Sequence, residues 1–233
     1  MTGPSDETYE QKIILARRKL KAPRAAAISG ILFAVLYGSA MILLARSIPP
    51  FDIVDNTWIE TSGNTVSLAL LLVPYSGIAF LWFIGVIRDH LGDAEDRLFS
   101  TVFLGSGLLF MALTFLAAAF VGGLLSSYAL MPSVLIESGV FLYARSVIYQ
   151  VLNLYAIRMA GVFMISLGTI WLRTGVLARG WTILTYALAL VLLLSITLSI
   201  WVILIFPAWV LIISVRLLIQ NLRDRPEGAP GGS

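Results

Sequence analysis

The chain has 233 residues, 59% of them hydrophobic and 12% charged, against the roughly 25% charge of an ordinary soluble protein. With a mean hydropathy of +0.92 there is too little polar side chain to cover a water-soluble globule, and too little charge for intrinsic disorder. No cysteine, a single histidine (His90) and a net charge of only +3 exclude disulfides and thiolate metal sites, leave no cofactor expected, and give nucleic-acid binding no electrostatic basis.

The expectation is an all-α, polytopic transmembrane helical bundle. Residues 1–24 form a polar segment holding six of the 16 Lys and Arg. Ser5, Asp6 and Glu7 read as a helix start; Arg17, Arg18, Lys19 and Lys21 read as its end. Acids first and bases last follow the helix dipole. One reading is a short amphipathic helix on the membrane surface, its Arg17, Arg18, Lys19 and Lys21 facing anionic headgroups. The simpler reading is the basic charge that any first crossing of this orientation carries.

Six crossings of about 20 apolar residues are predicted within 25–222, near 25–45, 66–87, 98–125, 151–172, 181–196 and 202–219. The run from Trp181 to Ile219 is too long for one crossing. A tight turn is placed around Thr197–Trp201, with Pro207 inside the sixth crossing and Pro74 inside the second. Five crossings with a re-entrant end is the alternative. Residues 223–233 form a Pro/Gly-rich tail. A secretory signal is a poor reading of the first crossing, because five more apolar segments follow. No internal repeat of a transporter kind appears.

Lys and Arg set the orientation. Lys12, Arg17, Arg18, Lys19, Lys21, Arg24, Arg88, Arg97, Arg173, Arg179, Arg223 and Arg225 fall on one side, and Arg216 can snorkel there; the other side holds Arg46 and Arg145. Both termini are therefore expected in the cytosol, with the bundle in the plasma membrane.

Arg158 stands out. It lies about 12 Å along the predicted fourth crossing by the helical rise, where a charge costs a few kcal/mol. It is expected to face the bundle interior or a wet cavity. Tyr155, Arg158, Val162, Ser166, Thr169 and Arg173 share one side at helical spacing. As a ligand site, Arg158 holds a small anion with Tyr155, Ser166 and Thr169 hydrogen-bonding beside it. As a structural feature, the arginine is satisfied by carbonyls and hydroxyls of neighbouring helices. No acid falls inside a predicted crossing, which argues against proton- or sodium-coupled transport. Glu137 reaches inward only if 134–150 dips into the membrane.

The segment from Arg88 to Arg97 is the densest polar cluster, with four acids and His90. Its spacing is not that of a calcium loop. Gly92 as a helix stop, Asp93 as a cap and Glu95 and Asp96 in the next first turn account for it. Gly30, Ala34 and Gly38, and Ala118 with Gly122, are small-residue ladders suited to helix contacts. Trp58, Trp82, Trp171, Trp181 and Tyr128 fall near crossing ends as an aromatic belt.

Three functions follow. The first is a bundle that binds or passes a small anionic solute around Arg158, as a transporter or channel. The second is a non-catalytic interaction or assembly subunit whose Arg158 pairs with a membrane partner or another copy. The third, the weakest, is an enzyme acting through the 88–97 loop.

Overall fold

The computed structural model describes residues 4–50, 53, 55–91, 97–174, 179–195 and 200–223, with side chains over 25–50, 53, 55–88, 98–173, 179–195 and 201–219. Among the described residues the chain is all-helical. In order come α1 (Pro4–Ser47), α2 (Trp58–Leu91), α3 (Arg97–Leu130), α4 (Pro132–Glu137), α5 (Val140–Gln150), a π-helical turn (Val151–Ala156), α6 (Ile157–Thr174), α7 (Arg179–Leu194) and α8 (Ile200–Arg223). Helices are what apolar runs must form in lipid, where every backbone donor and acceptor has to be paired within the segment.

Among the described residues, five helical stretches are long and apolar enough to cross a membrane: Ala25–Ser47, Trp58–Arg88, Leu98–Leu130, Val140–Arg173 and Trp201–Ile219. The predicted fifth crossing, 181–196, falls on α7. That helix has 16 residues, about 24 Å of rise, short of a hydrocarbon layer of about 30 Å. A sixth full crossing is therefore not shown, and the turn placed at Thr197–Trp201 lies largely outside the described residues.

The other five predicted crossings each fall on one of these helical stretches, which are longer than predicted. The fourth, expected over 151–172, begins one helix earlier because α5, the π-helical turn and α6 run on without a break. The first is the end of a 44-residue helix, so the backbone of the N-terminal segment continues the axis of the crossing. The side chains of Arg17, Arg18, Lys19 and Lys21 lie outside the described residues, as does the tail from residue 224.

α1 packs against α2 and α8, α2 against α3, α3 against α6, and α6 carries α7 on its outer side. Five crossing helices each send one phenylalanine to a common centre: Phe33, Phe80, Phe110, Phe163 and Phe206. Ring centroids lie 4.6 Å apart for Phe33–Phe80, 5.2 Å for Phe80–Phe163, 5.8 Å for Phe80–Phe110 and 5.7 Å for Phe80–Phe206. Edge-to-face pairs such as Phe110–Phe206, at 4.7 Å and 64°, place the positive edge of one ring on the negative face of another. α7 contributes no ring to this centre, in keeping with its peripheral place.

Small residues allow the close approaches, but not all those predicted. A Cβ on Gly30 would collide with Ser214 Oγ and stand 2.8 Å from the Phe83 ring, so α1, α2 and α8 meet there. Gly38 meets nothing within 4 Å. Trp58 and Trp171 are each 3% exposed and belong to cores rather than to an aromatic belt, whereas Trp82 does face outward.

At the end opposite Arg88 and Arg173, a second core forms from Trp58, Ile59, Val66, Val121, Leu124, Leu135, Phe141 and Ala144. It fills the space between the start of α2 and the hairpin of α3, α4 and α5. Gly139 reverses the chain between α4 and α5 at φ +73°, a left-handed conformation that costs glycine little.

Candidate functional site

The polar stripe predicted on the fourth crossing begins with Tyr155 in the π-helical turn and continues along α6; Arg158 and Thr169 reach toward α7, whereas the Arg173 guanidinium lies 4.6 Å from the centre of the Phe99 ring on α3. Arg158 is half-buried. Its Nη1 donates to the carbonyls of Asn153 and Leu154, both at 2.9 Å, and its Nη2 to the carbonyl of Ser195 at 3.5 Å. Two of these acceptors belong to the π-helical turn, where the Ile157 amide bonds five residues back to Leu152. The return from five-residue to four-residue bonding leaves a carbonyl in that turn without an amide of its own. The guanidinium supplies the missing donor. The third acceptor is at the C-terminal end of α7, the negative end of that helix dipole. Two of the three carbonyls that accept from Arg158 belong to its own segment, and one belongs to a neighbouring helix.

The companion residues are spread along the seam. Tyr155 is exposed. Ser166 is 3% exposed, and its hydroxyl donates to Val162 O at 2.9 Å. Thr169 donates to Ile165 O at 2.8 Å and pairs with the Tyr186 hydroxyl at 2.9 Å. With the threonine proton on Ile165 O, Tyr186 is the donor of that pair. Arg158 and Thr169 are about 16 Å apart along the axis by the helical rise. Arg158 and Thr169 meet the α7 side at separate levels, Ser166 bonds within its own helix and Tyr155 is exposed, so the four do not converge on one small ligand. Gly161 and Gly168 let α7 come close, since a Cβ on Gly161 would meet Leu193 at 3.0 Å and the Ala189 carbonyl oxygen at 3.1 Å. Among the described residues no carboxylate meets Arg158. Glu137 is exposed at the end of α4.

A second arginine, which the sequence placed merely on the outer side, is the more buried one. Arg145 is 7% exposed. Its guanidinium donates to Pro50 O at 3.0 Å, Asp55 O at 3.2 Å and Pro49 O at 3.4 Å, and lies 5.8 Å from the centre of the Phe141 ring. It ties α5 to the connection between α1 and α2. Asp55 adds to this tie. Its carboxylate accepts the Thr57 amide and hydroxyl, each at 2.9 Å, and these donors, with Arg145 nearby, hold its pKa below the usual 3.8. The signal available in the sequence was the spacing of Phe141, Ala144, Arg145 and Ile148, which puts the arginine on the buried side of α5.

Among the described residues no group of three or more His, Cys, Asp or Glu gathers. The side chains of Asp89, His90, Asp93, Glu95 and Asp96 lie outside them, and with them the 88–97 loop proposed as an enzymatic face. Chemically, the described arrangement offers two guanidiniums engaged with backbone carbonyls and a centre closed by aromatic rings. No known family, curated protein or solved structure matches the chain.

Proposed function

We propose that this membrane-embedded helical protein acts as a non-catalytic interaction or assembly subunit, joining a second transmembrane chain or another copy of itself. The observation that carries this reading is the aromatic centre: where a solute path would run, five helices interlock rings that are buried to within 3% exposure. The surface offered to a partner is the hairpin beyond the second core. Tyr128 donates to Glu60 at 2.5 Å, and this pair with the Arg145 tie marks a polar layer. Further along the hairpin, Leu130 is 80% and Tyr143 69% exposed, with Met131, Val134 and Val140 also exposed. Apolar surface beyond a polar layer is suited to another protein chain.

The cysteine-free chain makes the test direct. Val134→Cys is introduced alone and treated with a bifunctional maleimide in native membranes, with Leu184→Cys on the outer side of α7 as control. A discrete cross-linked species at 134 and none at 184 supports the proposal. A monomer at both positions, with no second membrane chain co-purifying from the same membranes, overturns it.

A second reading, the binding or passing of a small anion, is favoured by one feature. Arg158 is only half-buried and lies one turn from the exposed Tyr155, so its charge is within reach of the bundle's outer surface. Its test is anion flux, or thermal stabilisation by anions, in reconstituted wild type and Arg158→Gln.

A further inference from the structure

One end of the bundle gathers the ends of α2 and α6, the starts of α3 and α7 and the last turns of α8, and with them Arg88, Arg173, Arg179 and Arg216. Of the acids whose side chains are described, Asp55, Glu60 and Glu137 sit at the other end; Asp89, Asp93, Glu95 and Asp96, whose side chains are outside the described residues, fall in the sequence between Arg88 and Arg97. Within the arginine-rich end, Arg216 is distinctive. It lies inside the apolar stretch Trp201–Ile219 and is half-buried. Its Cζ stands 4.2 Å from the centre of the Trp181 ring. One turn further along α7, Trp209 Nε1 donates to Thr185 Oγ1 at 3.0 Å, which fixes α8 against α7 and so fixes the indole under the guanidinium.

Among the described residues Arg216 has this ring contact and no hydrogen bond or ion pair, and the same holds for ion pairs of Arg179, two residues before the ring. The segment 173–180 contains Arg173 and Arg179 and no acid. A half-buried charge without acceptors is costly. A guanidinium lying on an aromatic face still has its in-plane N–H groups, which match a phosphate bidentately. Exposed apolar side chains continue from this point along both helices, Ile183 and Leu184 on α7 and Ile212 and Val215 on α8. A headgroup phosphate at Arg216 would have acyl chains running over them.

We propose that Arg216, held on Trp181 and assisted by Arg179, binds the phosphate of an anionic phospholipid headgroup. This rests on membrane embedding alone and not on the proposed assembly role. The full chain, purified in mild detergent, is tested by native mass spectrometry and thermal unfolding with dioleoyl phosphatidylglycerol, dioleoyl phosphatidylcholine or inorganic phosphate. Wild type is expected to retain phosphatidylglycerol and to be stabilised by it, with little effect of the other two. Arg216→Gln should bind it about tenfold more weakly, the loss of one charge-assisted contact. Trp181→Leu, which leaves the charge but removes its support, should show a smaller loss in the same direction and keeps the test open if Arg216→Gln fails to fold. Arg88→Gln, a surface arginine at the same end, should behave as wild type. Equal binding by Arg216→Gln and wild type, equal stabilisation by phosphatidylcholine, or equal stabilisation by inorganic phosphate each overturns the proposal, the last by pointing to a free anion.

Discussion

Phe80 is the keystone of the aromatic centre, and its truncation to alanine is the sharpest test of the packing. The side chain is fully buried, with ring centroids of Phe33, Phe83, Phe110, Phe163 and Phe206 between 4.6 and 6.1 Å. In a membrane the usual transfer term is small, because lipid is as apolar as the core. What remains is the void and the lost ring contacts. A void of roughly 100 Å³ at about 24 cal/mol per Å³ gives ~2.4 kcal/mol. Counted instead as five ring pairs at the low end of about 0.5 kcal/mol each, the loss is ~2.5 kcal/mol. The two routes describe the same contacts and are not added. Phe80→Ala should therefore lower unfolding free energy by about 2.5 kcal/mol, read by titration from mild detergent into dodecyl sulfate and followed by circular dichroism. Leu68→Ala, on the outer side of the same helix, is the control and should stay within about 0.5 kcal/mol of wild type. If Phe80→Ala falls within the range of that control, the rings do not meet as described and the argument against a central path fails with them.

Arg145→Gln should cost about 2–3 kcal/mol, since loop carbonyls lose a charged donor, and should increase proteolysis of the connection between α1 and α2. Asp55 sets a pH dependence for the same region: its pKa is lowered from 3.8, so its stabilising contribution is complete above 3.8 and is lost as pH falls through the lower folded value. Trp58 fluorescence should report that change, and Asp55→Asn should abolish it. Gly30→Leu should destabilise strongly in the same detergent titration, because α1, α2 and α8 meet there, whereas Gly38→Ala, facing open space, should be neutral or slightly stabilising through helix propensity. A double-mutant cycle of Thr169→Val and Tyr186→Phe should give a coupling near 0.6 kcal/mol, about the average for membrane interhelical hydrogen bonds; zero coupling would remove the polar tie between α6 and α7.

What the order of residues determines alone is the chain's relation to solvent. Long apolar runs demand helices, they mark five of the stretches long enough to cross a membrane without fixing their ends, and the Lys and Arg at one end distinguish it from the other. Arg158 was conspicuous for the same reason, as a charge where water is scarce. The direction in which a membrane helix faces is another matter. A helix apolar on every side carries no moment to separate its buried face from its lipid face, so nothing in the runs distinguishes Phe80, fully buried, from Trp82, exposed two residues later. That choice depends on which helices lie alongside. The arginines divide: Arg158 makes its two short bonds to its own π-helical turn and one longer one to Ser195 at the end of α7, whereas Arg145 became the buried one because a connection some 90 residues away folds over it. Even the length of the fourth crossing is tertiary in origin, for α5 is sustained through its mixed sequence by the second core and by Arg145's carbonyl partners. Local hydrophobicity decides where the chain enters lipid; only contacts between distant segments decide what each side chain meets there.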